Sequence, residues 1–231
     1  GLSYSSAIVL AMVASVILLL PLEALLYRRI YSASDLVQVL MTVGITFFVI
    51  GIVNYIFGPT MKMIALPSAI SGPMDLGIRS VPAHRLFVIA CGAAIALFLW
   101  LIIDRTPFGM KLRATIDNPS MAAALGVRTE RIYAATFALA VALGAFGGVV
   151  GAEILPIEPY YALRYMVTFL VVVSIGGAGS ILGALTASLT LGFVDTVGKY
   201  FIPNLGEFFL YLAVIVIVLA FPKGLLGRAR S

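Results

Sequence analysis

The sequence predicts an all-α fold: a polytopic helical membrane protein of about seven spans at ~20 residues per crossing, with a glycine-broken helix near residues 176–179. Three observations carry that expectation. Of 231 residues, 62% are hydrophobic and 11% charged, against about 45–50% and ~25% in soluble domains. The mean hydropathy of +1.13 is more than a water-soluble globule could hide, because much of any globule faces water. Apolar residues also run continuously rather than alternating, which favours helices over a transmembrane barrel. Disorder is excluded by the same composition, since low hydrophobicity and high charge are what keep a chain unfolded.

Each element follows from an apolar run bounded by charges, prolines or glycines. The first span covers 4–20 and ends at Pro21. The second covers 36–57, closed by Gly58 and Pro59, and the third 86–103. The fourth is 132–151, a short fifth 161–175, the sixth 180–198 and the seventh 207–221. At 1.5 Å per residue these stretches match or slightly undershoot a hydrocarbon layer of about 30 Å. The whole of 1–231 is expected to be one transmembrane domain, with 104–131 as a cytoplasmic loop inside it.

Positive charge sets the orientation. Ten of the fifteen basic residues (Arg28, Arg29, Arg105, Lys111, Arg113, Arg128, Arg131, Lys223, Arg228 and Arg230) fall on one side, which the positive-inside rule places in the cytoplasm. Lys62, Arg79, Arg85, Arg164 and Lys199 fall on the other. An external Gly1 and an internal Ser231 then require an odd number of crossings. Treating 161–198 as one helix would break that parity, and splitting it at Gly176, Gly177, Ala178 and Gly179 restores it. Glycine costs about 1 kcal/mol against alanine inside a helix, so three in four residues mark a broken helix or tight turn. A continuous but kinked helix is the alternative.

The longest internal polar segment reads DRTPFGMKLRATIDNPSMAAALGVRTER over 104–131. Asn118 is placed to cap a helix beginning at Pro119, whose missing N–H costs nothing in a first turn. Gly126 suits a left-handed stop after Leu125. The result is a two-turn helix with Met121 and Leu125 four apart on one face, too short to be stable alone. It is either a docking helix for a cytoplasmic partner or a surface helix that links two spans. Pairs of small residues four apart, such as Gly144 with Gly148 and Gly183 with Ala187, let helix backbones approach and read as packing.

The residue types that catalysis would need are scarce. The lone histidine, His84, is expected in an external loop, and the lone cysteine, Cys91, has no intrachain disulfide partner. No phosphate-binding G-x-x-x-x-G-K-[ST] loop occurs. No enzyme activity, cofactor or metal is therefore expected, and no nucleic-acid partner. Polar residues inside spans are Asn54, Thr136, Ser174, Thr186, Ser188, Thr190 and Asp195, with Asp195 near the outer helix end. An ion-coupled carrier usually has an ionisable site near the midplane, and none is visible. External Glu153, Glu158 and Arg164 read as solvated loop charges or as a contact for a binding protein.

Four segments carry a family resemblance. KLRATIDNPSMAAALGV at 111–127 resembles the cytoplasmic loop of permease subunits in branched-chain amino acid ABC transporters, closer to the LivH type than to the LivM type. RIYAATFALAVALGAFGGVVG at 131–151 resembles the next helix, VVVSIGGAGSILGA at 171–184 the family's GG-x-GS-x-x-GA element, and FPKGLLG at 221–227 its cytoplasmic exit. Together they cover about half the chain in the right order. The family's N-F-A-H-G-type stretch has no match before Tyr4, so further N-terminal spans are expected to precede Gly1.

The resemblance implies a membrane subunit of an ATP-driven, binding-protein-dependent importer of branched-chain or related amino acids in the bacterial plasma (inner) membrane. Its implied partners are two cytoplasmic ATPase subunits, a second permease subunit, a periplasmic or lipid-anchored substrate-binding protein, and membrane lipid. Asn118, Pro119, Met121, Leu125 and Gly126 match the family's ATPase-coupling helix. Gly176, Gly177, Gly179 and Ser180 are hinge or translocation candidates. The rival class is an ion-coupled secondary carrier or a channel for small polar solutes such as urea or amides.

Overall fold

Apolar segments have to close their own backbone hydrogen bonds, and the helices of this chain do so in series. The computed structural model describes residues 4–27, 33–60, 72–75, 80–152, 157–177, 179–202 and 206–220. Among these, α1 is Tyr4–Leu22, α2 Asp35–Phe57, α3 Ala83–Arg105, α4 Pro107–Asp117 and α5 Pro119–Ala124. They are followed by α6 Thr129–Gly151, α7 Tyr161–Gly176, α8 Ile181–Phe201 and α9 Gly206–Ala220. Two short strands, β1 Pro73–Asp75 and β2 Ser80–Pro82, pair antiparallel with Met74 opposite Val81. Five helices are long and apolar enough to cross a membrane, and the apolar helices at 161–176 and 208–219 are shorter. All seven expected runs are therefore helical.

Pro21 does not end the first span. The helix passes through it and continues as one wide π-helical turn, Glu23–Tyr27, giving a 24-residue apolar segment. Proline lacks the N–H that the preceding turn would use and crowds the carbonyl four residues back. A π turn follows two residues after Pro21, and α1 packs along α6. Tyr27 meets Phe137 of α6 at 5.3 Å between ring centroids.

His84 is also not in a loop. It lies in the first turn of α3, 4% exposed, with its ring 6.3 Å from that of Phe87. The helix begins three residues before the apolar run does, because Pro82 ends β2 and opens α3 directly.

The chain divides into two units, 1–159 and 160–231. In the first, α1 packs along α6, while α4 contacts α3, α5 and α6. In the second, α8 packs against both α7 and α9. Its core is Ile175, Ala187 and Leu191, with Val171, Val172, Leu210, Val214 and Ile217 against them. Outside such seams the spans stay apolar: Leu18 is 73% exposed, Phe48 68% and Phe193 71%. Exposed apolar surface costs about 25 cal/mol per Å² in water, so these faces need lipid or neighbouring helices.

One close approach fixes the α3–α4 corner. A Cβ on Gly109 would lie 2.6 Å from Ile103 Cα and closer still to its carbonyl oxygen. Gly144, in contrast, has nothing within 4 Å of its Cβ position. Gly109→Ala should therefore lower the unfolding free energy in detergent by about 1–3 kcal/mol. Gly144→Ala should be neutral or stabilising by up to about 1 kcal/mol. Equal thermal melts for the two variants would contradict the close approach.

Candidate functional site

The polar stretch between α3 and α6 is more structured than a connector. Thr106 turns the chain, Pro107 opens α4, and Gly109, Leu112 and Thr115 are buried at three-residue spacing on one side. The Thr115 hydroxyl donates to the Lys111 carbonyl at 2.8 Å, which keeps a buried polar group satisfied. Arg113 pairs with Asp104 at 2.8 Å, both about half exposed, so the pair adds at most about 1 kcal/mol. The Arg105 guanidinium sits 4.9 Å over the Trp100 ring. Sequence reasoning missed α4; Pro107 in a first-turn position and the Gly109–Leu112–Thr115 spacing were its signals.

The short helix forms where it was expected, with one adjustment. It spans Pro119–Ala124, six residues, and Leu125 serves as its C-cap instead of its last turn. The Asn118 side chain accepts a hydrogen bond from the Met121 N–H at 2.9 Å, the N-cap bond anticipated from the sequence. At the other end Gly126 adopts φ +84°. Its N–H bonds to Ala123 O at 3.0 Å, and the Val127 N–H bonds to Ala122 O at 3.0 Å. These two bonds form a Schellman motif, which satisfies the last carbonyls and stops the helix. Ala122 is 2% exposed and seats the helix, whereas Met121 is 59% and Leu125 78% exposed. Asn118, Pro119, Met121, Leu125 and Gly126 are thus parts of one capped, outward-facing element.

The glycine cluster is likewise a single construction. α7 stops at Gly176; Gly177 and Gly179 take φ +86° and +87°, a region closed to most side chains. Ser180 then caps α8, its hydroxyl accepting from the Gly183 N–H at 3.0 Å. A Cβ on Gly176 would lie 2.6 Å from the Ala184 nitrogen, and one on Gly183 would meet the Gly176 carbonyl. The two helices therefore touch backbone to backbone on leaving the turn. Of the two readings of this break, the structure has the tight turn. Ala178 lies outside the described residues, as do Arg28, Arg29, Lys62, Arg79, Glu153 and the 221–227 segment.

Small-residue pairs divide into two kinds. Gly183 and Ala187 are buried against α7 and α9, as packing requires. Gly144, Gly147, Gly148 and Gly151 on α6 have open space at their Cβ positions among the described residues.

Polar groups in the spans are mostly spent on their own helices. Thr136 donates to Ile132 O at 2.8 Å, Thr186 to Gly183 O at 3.0 Å and Thr190 to Thr186 O at 2.8 Å, a back-bonding pattern common in helices. Asp195 pairs with Lys199 one turn on, at 2.7 Å. Glu23 is the buried acid that sequence reasoning passed over, 1% exposed in the π turn. Its signal was the apolar run resuming as LEALLY after Pro21. Among the described residues no three His, Cys, Asp or Glu side chains gather as a metal site would need.

The sequence model of the permease component of branched-chain amino acid transport systems matches residues 2–221. The chain belongs to that family. Among curated relatives, the high-affinity branched-chain amino acid transport permease LivH of Escherichia coli K12 is 26% identical over 217 residues, covering 90% of this chain and 69% of the relative. BraD of Pseudomonas aeruginosa, a permease protein of the same kind, is 26% identical over 214 residues, with the same shares covered. No solved structure gives a significant match. The capped helix and the glycine turn are therefore features of a polytopic permease.

Two tests probe the permease's local geometry. Asn118→Ala should remove about 1 kcal/mol and speed hydrogen exchange at the Met121 amide, while Asn118→Asp restores protection. Gly177→Val and Gly179→Val should each cost about 1–2 kcal/mol, read as lower thermal midpoints; unchanged midpoints would remove the left-handed turn.

Proposed function

We propose that this permease subunit alternates access for a small zwitterionic solute, branched-chain or related amino acids, and is driven from the cytoplasm by separate ATPases. The observation that carries this reading is the capped helix with Met121 and Leu125 left exposed. Six residues cannot hold a helix by themselves; here caps at both ends and the buried Ala122 do so. What remains outside is an apolar knob for a groove on another protein. The chain has no phosphate-binding loop of its own, so nucleotide energy has to arrive mechanically. A rigid knob joined through α4 to α3, and through Gly126 and Val127 to α6, would move both spans when pulled.

Family membership supports the assignment as a permease, and the names of the relatives support the amino-acid cargo. The partners proposed are two ATPase subunits, a second permease subunit and an external substrate-binding protein. The basic residues of 104–131 support a cytoplasmic position for that loop and an internal C-terminus. The glycine turn at Gly176, Gly177, Gly179 and Ser180 is proposed as the hinge of the path, because side chains are excluded there and the α7 and α8 backbones meet. The Asp195–Lys199 pair weighs against Asp195 as the charged site of an ion-coupled carrier, because its carboxylate already faces a cation.

Met121→Asp and Leu125→Asp should abolish uptake and ATPase co-purification while the protein still inserts, as judged by membrane fractionation and thermal melting. Normal uptake with normal co-purification would end the coupling proposal. Reconstituted alone in vesicles, the chain should give no amino-acid flux; flux without ATPases would favour the channel or ion-coupled carrier.

A further inference from the structure

Beside the docking helix lies an open cleft of about 470 Å³ between α4 and the start of α6. Three cations line it: Lys111 from α4, Arg128 from the turn, and Arg131 from the first turn of α6. Leu125, Val127 and Ile132 form its apolar part, and no lining residue is acidic. The other cations of this loop are engaged, Arg113 with Asp104 and Arg105 with Trp100. Among the described residues, the side chains of Lys111, Arg128 and Arg131 enter no ion pair or hydrogen bond. Three like charges around one cleft repel one another unless an anion joins them.

Depth identifies the anion. Arg128 caps α6 and Arg131 is in its first turn, and α6 is a 23-residue apolar span. Guanidinium groups at the end of a span lie at headgroup level. Arginine pairs bidentately with phosphate oxygens. Val127 and Ile132 beside the cations offer an apolar wall to glycerol and the first acyl methylenes. An acidic protein surface would use the charges but leave that apolar wall unfilled.

We propose that this cleft binds the phosphate headgroup of an anionic membrane phospholipid, making lipid charge a structural partner of the α4–α5–α6 loop. This goes beyond the coupling proposal and does not depend on it. Of the two residues of the proposed ATPase contact, Leu125 also lines the cleft and Met121 does not.

The test places the full chain in nanodiscs of phosphatidylcholine with and without phosphatidylglycerol. Such discs present both faces, so the outcome is independent of which side the loop occupies. Phosphatidylglycerol should be retained over phosphatidylcholine in native mass spectrometry, and added salt should weaken the association. Each cation near an anionic surface contributes about a five-fold preference. The triple variant Lys111→Gln, Arg128→Gln, Arg131→Gln should therefore lose on the order of 100-fold in affinity. Arg113→Gln, whose native side chain is already paired, should retain the lipid and controls for folding of the loop. Equal retention of both lipids, or undiminished phosphatidylglycerol binding by the triple variant, overturns the proposal. Displacement of the lipid by inorganic phosphate alone also overturns it, because the site would then serve a free anion. Loss of ATPase co-purification in the triple variant with lipid binding intact would assign the cations to the protein contact and overturn it too.

Discussion

A backbone N–H or C=O left without a partner in hydrocarbon costs several kcal/mol, and the whole chain is arranged around that cost. It makes the apolar runs helical irrespective of their particular residues, and it allows a helix to stop only where something else takes over its terminal groups. At 118 and 126 the substitutes are an asparagine side chain and a Schellman turn. At 176–180 they are two left-handed glycines and a serine cap. At Pro21 the helix does not stop at all and runs on into a π turn at Glu23–Tyr27. Both candidate sites are thus places where the helical ladder ends under tight control.

The two sites use glycine for different physical reasons. Gly126, Gly177 and Gly179 supply backbone angles that side chains resist. Gly109, Gly176 and Gly183 instead remove a Cβ where another segment's backbone passes. In the proposed mechanism the first kind ends helices sharply, and the second transmits displacement, since segments in backbone contact have no soft side-chain layer between them. The open α6 glycines contrast with both. Their surface is apolar and uncovered within the described residues, in keeping with a subunit that meets lipid or further helices.

Much of the site was legible because it is local. An N-cap needs an Asn three residues from the N–H it accepts from, and a Schellman stop needs a glycine at one position; both signals lie within ten residues around Pro119. The helix nevertheless ended one residue early, at Ala124, because the Gly126 turn draws Leu125 into the cap. α4 was missed because its buried face is Gly109, Leu112 and Thr115, two of them small and one polar, which hydropathy does not flag. The burial of His84 was hidden as well: it precedes Arg85, at the polar edge of the apolar run, and its ring lies 6.3 Å from that of Phe87 in its own helix.

Composition alone determined that the chain is helical and membrane-borne, since neither continuous apolar runs nor their backbone groups could be satisfied in any other way. The order of residues also placed the Asn118 cap and the left-handed Gly126, whose chemistry is complete within one turn of chain. Tertiary structure decided what depends on neighbours distant in sequence: that α1 runs through Pro21 against α6, that Glu23 is buried, and that Lys111 meets Arg128 and Arg131 at one cleft. Such facts rest on which surfaces meet, and no local pattern encodes a meeting between segments that fold apart before they pack together.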